Sequence, residues 1–515
     1  MGSQVSNSKR ILSNTIFLYV RMIVTMIIGL YTSRILLQEL GVDDFGIYGL
    51  VGGIVAMFSS LKTLFAVATQ RYLNIEIGKG DIKELNKVFN VSVLVNLLIA
   101  FIFLIIVEIG GIWLLENKLH IPLERMIAAR WVLQFSIVSS VITILCIPYD
   151  ANIIARERMN VFATLSIFDS VAKLAIVLLL PFWGGDRLIV YGGLMLCIVV
   201  INLGVNVAYC RLKFVESRII HYPFSSIIMK FKEMFKFSGW AFFGNIMFAL
   251  VNEGINVLLN IFSGVTANAA RNITYQVKSA LANVVSNVYV AVKPQAIQSY
   301  ARQDMERFYN LMFTGAKVVG YMYILMAIPL FFALNEILRF WLGTVPDYAV
   351  VFLSASLLYQ YVRVLHESVG IFFVTIGKLK AYQVTEFFTL GSALPLSYVG
   401  LSFLSMPLYG VFLVMTFSEL LNLIVILCLA KKEGNFDVHR YFISVLFPYA
   451  VITLLCISCV WSLKWILGFL LGGDETVNAF ILIVLAVVCQ LVLIYFAGLR
   501  KKERLLLLNI IKRRK

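Results

Sequence analysis

Several ionisable side chains stand in stretches of this sequence that otherwise contain almost nothing but hydrocarbon. The cations are Arg21, Lys62, Lys173, Lys278 and Arg363; the acids are Asp169, Glu253, Glu367 and Glu419. A charge near the middle of a bilayer costs several kcal/mol, so it faces a partner or a wet cavity. Asp169 and Lys173 are four residues apart and share a helix face, as do Arg363 and Glu367. Each pair is either a self-neutralised couple that lowers the cost of insertion or part of an ion-coupling device, in which Asp169, Lys173 and Glu367 are the candidates. Arg21, Lys62 and Lys278 have no acid at that spacing on their own helix. They imply an anion that visits them, or an interhelical bond to Glu253 or Glu419. Arg34, Arg271 and Lys464 lie nearer the ends of apolar runs and can snorkel to the interface.

A second polar feature is the series Asn245, Asn252, Asn256 and Asn260 beside Glu253, spaced seven, four and four so that the amides fall largely on one helical face. Such amides either join helices or line a wet cavity that binds hydroxyls. The reading preferred from sequence is the cavity, with Arg363 as a further lining residue.

These side chains must be positioned by membrane spans. Of 515 residues, 60% are hydrophobic and only 14% charged, and the mean hydropathy is +0.89. No water-soluble fold of this size hides so much apolar surface. The apolar runs are 11–37, 46–70, 88–110, 126–148, 161–182, 189–210, 235–262, 269–296, 310–334, 349–376, 383–403, 409–430, 442–467 and 478–499. None alternates with the two-residue period of a barrel strand. The expectation is an all-α, multi-pass integral membrane protein of about fourteen transmembrane helices. Arg21 in the middle of the first run, with no small-x-small cleavage site, marks a retained span.

The formal charge of +16 could suggest nucleic acid, but the basic residues collect in alternate short loops. About 28 lie on one side and about four on the other, which places both termini in the cytoplasm. The segments divide into a first lobe over 1–210, a linker over 211–234 lying amphipathically on the membrane surface, a second lobe over 235–430, a helix pair over 431–499, and a basic tail over 500–515. A weak internal echo accompanies this division. Leu36-Leu37, Gly41-Val42 and Gly46-Ile47-Tyr48 are answered by Leu258-Leu259, Gly264-Val265 and Ile273-Thr274-Tyr275.

No phosphate-binding GxxxxGK[ST] loop, HExxH pair or GxSxG elbow is present, and the four histidines fall in four separate segments, so no metal site is expected. Cys456 and Cys459 have CxxC spacing, but on an apolar helix they read as small buried side chains. The outer loops are too short for a catalytic domain, which counts against a membrane polymerase or ligase; the chain reads as a non-enzyme.

Two stretches carry a resemblance. SNTIFLYVRMIVTMIIGLYTSRILLQELGVDDFGIYGLV, with its deep basic residue, and KFSGWAFFGNIMFALVNEGINVLLNIFSGVTANAARNITYQVKSAL followed by VKPQAIQSYARQD, resemble polysaccharide flippases of the multidrug/oligosaccharidyl-lipid/polysaccharide (MOP) superfamily. The resemblance spans most of the chain and is strongest over 11–80 and 235–305. It implies two pseudo-symmetric six-helix lobes around a central cavity that opens alternately to either side, plus a final helix pair. It also implies a lipid-diphosphate substrate held by cations on the first, second and eighth helices, which here carry Arg21, Lys62, and Arg271 or Lys278. Lysine at 62 and 278 departs from the arginine common in that family and binds phosphate as a point charge, not a fork. The implied activity is export of an undecaprenyl-diphosphate-linked oligosaccharide across the bacterial inner membrane for O-antigen or capsule synthesis. It needs no cofactor beyond a proton or sodium gradient, and is carried out by a monomer working with membrane lipids and polysaccharide assembly proteins. Lipid II flippases and multidrug exporters of the same superfamily are the alternatives. An exporter of organic cations calls for an acidic cavity, whereas the solitary mid-span charges here are mostly basic.

Overall fold

A computed structural model describes residues 2–156, 158–220, 222–470, 475–499 and 504. Within it, the side chains of 2–20, 56–68, 71, 78, 224–226, 233–246, 287, 290, 291, 294, 301 and 470 lie outside the description. All regular structure among these residues is helical. The chain forms two compact units, Met1–Ala269 and Ala270–Lys515. Ten of the described helices are long and apolar enough to cross a membrane. The expected apolar runs all fall on helices.

The first unit contains α1 (Gly2–Lys79), α2 (Ile82–Asn117), α3 (Met126–Ala155), α4 (Met159–Leu179), α5 (Arg187–Lys213), α6 (Phe224–Ser263) and the first residues of α7 (Val265–Ala301). Two of the expected runs share α1, which is broken only at Gly41 (φ 76°, ψ 174°). The α6–α7 junction is made the same way by Gly264 (φ 75°, ψ −165°). Both glycines occupy a backbone region that a side chain resists, and they are the two seams of the internal echo. The echo in sequence thus corresponds to a repeated local geometry.

Helix packing in this unit rests on close backbone approach, because between helices in lipid hydrophobicity contributes little and contact area decides. A Cβ added at Gly46 would lie 2.2 Å from the carbonyl oxygen of Val265, and one at Gly53 would meet Asn256 and Glu253 at 2.6 and 2.7 Å. Around this crossing Ile47, Leu50, Val51 and Ile54 interlock with Phe103 and Val107 of α2 and Val132 and Ile137 of α3. On α2, Leu97, Phe101, Ile105 and Ile109 point outward, as apolar as the core face. Hydropathy alone therefore does not tell the two faces apart.

The first part of the connection over 211–234 is docked on neighbouring helices. Glu216 and Ser217 are buried. Asn86 Nδ2 donates to the carbonyls of Glu216 and Arg218, both at 2.8 Å, and Arg156 pairs with Glu216 at 2.7 Å. The segment before Ile220 is tied to α2 and α3, because buried backbone carbonyls need donors and two asparagines supply them. From Phe224, α6 then runs unbroken to Ser263 and packs extensively on α1. The first compact unit runs to Ala269.

The second unit holds the rest of α7, then α8 (Met305–Phe332), α9 (Leu334–Leu342), α10 (Ala349–Ile376), α11 (Leu379–Gly391), α12 (Ala393–Phe403), α13 (Gly410–Gly434), α14 (Val438–Tyr441), α15 (Phe447–Leu470) and α16 (Glu475–Leu493). The run at 383–403 is divided between α11 and α12 at Ser392. The last helix pair packs on α8 through tyrosines. Tyr449 lies against Gly320 and stacks on Tyr361 at 4.6 Å, while the Tyr321 hydroxyl donates to the carbonyl of Gly498. The tail from residue 500 lies outside the described residues apart from Arg504, which caps the carbonyls of Phe496 and Leu499. All seven cysteines are free thiols, Cys456 and Cys459 included.

Candidate functional site

In the first unit, Arg21 lies half-buried on α1 with its guanidinium 4.9 Å from the centre of the Phe162 ring on α4. Its Nε has no hydrogen-bond partner, and among the described residues no carboxylate stands within ion-pair reach of it. The aromatic face offsets part of the lost hydration without neutralising the charge. On the same α4, Lys173 and Asp169 form the i,i+4 pair read from sequence, at 2.6 Å. Asp169 also accepts from Asn202 of α5 at 2.8 Å, so the pair is fixed to a second helix. The side chain of Lys62 lies outside the described residues, as does that of Asn245.

The remaining asparagines of α6 make hydrogen bonds to neighbouring elements in this structure. Asn252, Asn256 and Asn260 are all buried. Asn268, in the first turn of α7, donates to Asn256 O and Oδ1, both at 2.8 Å, and accepts from Asn260 at 2.9 Å. Asn260 in turn accepts from the His120 backbone at 2.8 Å, and Asn256 reaches the carbonyl of Gly49. Asn252 donates to Glu253 at 2.8 Å, so Glu253 is engaged within its own helix. This ladder joins α6, α7, α1 and the α2–α3 loop; amides in lipid are satisfied from neighbouring helices where water is absent.

In the second unit, Arg271 is buried on α7. About two turns further on, Lys278 sits between two tyrosine rings, 5.2 Å from Tyr275 and 5.3 Å from Tyr359 of α10. Arg363, which shares a helix face with Glu367, also reaches Glu419 on α13 at 3.0 Å. Glu419 is fully buried and is shared with His366, whose Nδ1 lies 2.5 Å from its other oxygen. The opposite ring nitrogen, Nε2, faces Glu386 of α11 at 3.1 Å and the Tyr382 hydroxyl at 2.8 Å. Asn422 and Thr389 complete the cluster, joined at 2.6 Å.

His366, Glu386, Tyr382 and Asn422 were not candidates from sequence. The histidines had been weighed only for metal spacing, and among the described residues no group of His, Cys, Asp and Glu could hold a metal. The available signal was that His366 lies three residues from Arg363 inside an apolar run, one turn along the same face. Also unforeseen is a clasp at the Gly41 end of the first unit. Arg125 bridges Asp44, by two nitrogens, and Asp186, and Arg187 pairs with Glu39 at 3.3 Å. Partial burial raises Asp186, but the hydrogen bond and charge of Arg125 together with the backbone N–H groups of Leu188 and Ile189 outweigh it and hold that carboxyl below its ordinary range.

No protein-family model and no curated protein matches the sequence. Solved structures do match in shape. An inward-facing multidrug resistance MATE family transporter of the MOP superfamily superposes with TM-score 0.64 at 13% identity, over 82% of this chain and 100% of that one. The lipid II flippase MurJ in an inward closed conformation gives TM-score 0.66 at 14% identity, over 95% of this chain and all of that one. A MOP superfamily transporter from Pyrococcus furiosus, described as having a binding pocket of reversed polarity, gives TM-score 0.60 at 12% identity over 81% of this chain. These three solved structures are of transporters and a flippase. At such identities it is the architecture that is common: the chain has the all-helical, multi-pass fold of MOP superfamily membrane transporters.

Proposed function

We propose that the protein is a flippase that moves an undecaprenyl-diphosphate-linked oligosaccharide across a bacterial inner membrane by alternating access, with both termini cytoplasmic, in the synthesis of a surface polysaccharide. The observation that carries the reading is Arg21: a guanidinium within an apolar helix, against an aromatic ring, with no carboxylate beside it among the described residues. Holding a permanent cation there costs several kcal/mol, and a passing diphosphate would recover much of that. Lys278 between its tyrosines and Lys62 on the second apolar run are the other cations assigned to the headgroup. The sugars and diphosphate cannot cross hydrocarbon unaided, and the shared fold supplies a transporter framework.

The lipid II reading is favoured by one observation of its own, the coverage of nearly the whole chain by that flippase against 82% by the MATE transporter. Both carriers take lipid diphosphates, so the cation argument serves both; a drug exporter is disfavoured by the sign of the charges. In a strain lacking its polysaccharide flippase, the wild-type gene should restore surface polysaccharide. Arg21→Ala and Lys62→Ala should abolish that restoration with protein levels unchanged, while a lipid-linked intermediate accumulates on the inner leaflet. Full polysaccharide from both variants would remove the cation proposal. Rescue of a lipid II flippase deficiency instead would reassign the cargo.

A further inference from the structure

Helix α4 carries two unlike stripes on opposite sides. Phe168, Val171, Ala175 and Leu178 are exposed and, at about 100° per residue, fall together on one side of the helix. They form the face that an apolar span turns to lipid. Phe162, Ser166, Asp169 and Lys173, spaced four, three and four, fall about 180° away. All four are half-exposed, so this second face is neither packed shut nor apolar. An ion pair left part-open in hydrocarbon would be costly, which puts the stripe on a wet side of the helix.

Two neighbouring helices converge on this stripe. From α1, the Arg21 guanidinium lies 4.9 Å from the centre of the Phe162 ring. From α5, Asn202 Nδ2 donates to Asp169 Oδ1 at 2.8 Å, while Lys173 Nζ holds Oδ2 at 2.6 Å. Asp169 thus has its counter-charge built in, and the pair beyond Arg21 is neutral overall. The Asp169 and Lys173 side chains keep 25% and 36% of their surface open, enough for a ligand to touch both. Ser166 donates to the Phe162 carbonyl at 2.9 Å and Ser170 to that of Ser166 at 3.0 Å. With their hydrogens spent on the backbone, both hydroxyls are left as acceptors, whereas the Lys173 ammonium has three donors and Asp169 uses one. From Phe162 to Lys173 the helix rises about 16 Å. A permanent cation followed by interleaved acceptors and donors matches, in order, a diphosphate and a ring whose hydroxyls both give and take hydrogen bonds.

We propose that the α4 stripe is a saccharide subsite that selects an uncharged sugar next to the diphosphate. Arg21 takes the diphosphate, and Ser166, Asp169, Lys173 and Asn202 exchange hydrogen bonds with the hydroxyl or acetamido groups of the adjoining ring. Counting charges sets the selection. A sugar carboxylate placed here would bring two carboxylates, its own and that of Asp169, to one ammonium. Whether Lys173 stays on Asp169 or moves to the sugar, one carboxylate is left unpaired in a poorly hydrated site, which is expensive. A neutral ring leaves the pair intact and replaces its water with equivalent hydrogen bonds. The subsite rests on the flippase reading and deepens it by naming the chemistry of the sugar nearest the lipid.

The test is equilibrium binding to the full-length protein in lipid nanodiscs. The probes are undecaprenyl diphosphate, the same lipid bearing one neutral N-acetylhexosamine, and the same lipid bearing one hexuronic acid. The wild type should bind the neutral glycolipid about tenfold tighter than the bare diphosphate, the scale of one or two hydrogen bonds to charged groups. It should prefer the neutral to the acidic glycolipid by a similar factor. Asp169→Asn combined with Lys173→Gln keeps side-chain size and net charge. That variant should bind the neutral glycolipid no better than the bare diphosphate, whose own affinity stays at the wild-type value. Arg21→Ala should weaken all three probes alike. Equal wild-type affinity for the neutral glycolipid and the bare diphosphate, or for the neutral and acidic glycolipids, overturns the subsite without any variant having to fold. A double variant that keeps the wild-type preferences overturns it as well. A wild type that binds none of the three overturns the flippase reading itself, so the two failures look different.

Discussion

Charged side chains in this protein fall into two kinds, and their surroundings tell them apart. Asp44, Arg125 and Asp186 form a clasp in which each charge has a partner, whereas Arg21 faces a ring and, among the described residues, no carboxylate. Removing the shared partner should be costly: Arg125→Ala leaves two carboxylates facing each other, a loss of about 1–2 kcal/mol given partial exposure. Thermal unfolding in detergent, compared with Arg187→Ala on the more exposed neighbouring pair, would show it; equal midpoints for wild type and Arg125→Ala would refute it. The pH dependence has a definite sign. Asp186 is held below its ordinary value, so its contribution is full at neutral pH, above the unfolded-state value of about 3.9, and is lost as pH falls through the lower folded value. Arg125→Ala should therefore flatten the acid limb of the stability profile. Arg21 stands out in the sequence because the burial cost of a cation is local and visible in one run. His366 and Glu386 do not, because their partners are 20 to 53 residues apart on different helices, and spacing along one helix carries no sign of that.

Among the elements, the glycine seams make the sharpest demand. Gly41 and Gly264 adopt the same left-handed conformation, yet only some of the nearby glycines are also crowded. A Cβ at Gly41 meets nothing within 4 Å, while one at Gly46 meets the Val265 carbonyl at 2.2 Å. Gly41→Ala should cost only the backbone strain, about 1–3 kcal/mol, and leave a folded, monodisperse protein. Gly46→Leu should force α1 away from the α6–α7 junction and abolish monodisperse extraction. Size-exclusion profiles of the two variants test this, and similar profiles would contradict the packing described. The helices themselves were legible as long apolar runs. The direction of each polar side chain was not: the α6 asparagines have the spacing of a cavity face, but their partner Asn268 lies beyond a glycine break whose geometry no periodicity reports. The docking of the 214–220 segment was hidden for a similar reason, since its donors, Asn86 and Asn90, belong to α2.

For the molecule as a whole, the fold follows from composition and from the need to satisfy every backbone group within a bilayer. The likeness to MATE and MurJ structures at 12–14% identity is a likeness of helical architecture. Function is carried by few positions on that scaffold, and the central claim concerns the cations. The most direct test uses purified protein in liposomes with an undecaprenyl-diphosphate-linked oligosaccharide, following the fraction that becomes accessible on the opposite leaflet. The account predicts flipping by the wild type and at least a tenfold slower rate for Arg21→Ala, the loss of one charge-assisted phosphate contact worth about 1.5–3 kcal/mol. An Arg21→Ala protein that flips this lipid at the wild-type rate would contradict it.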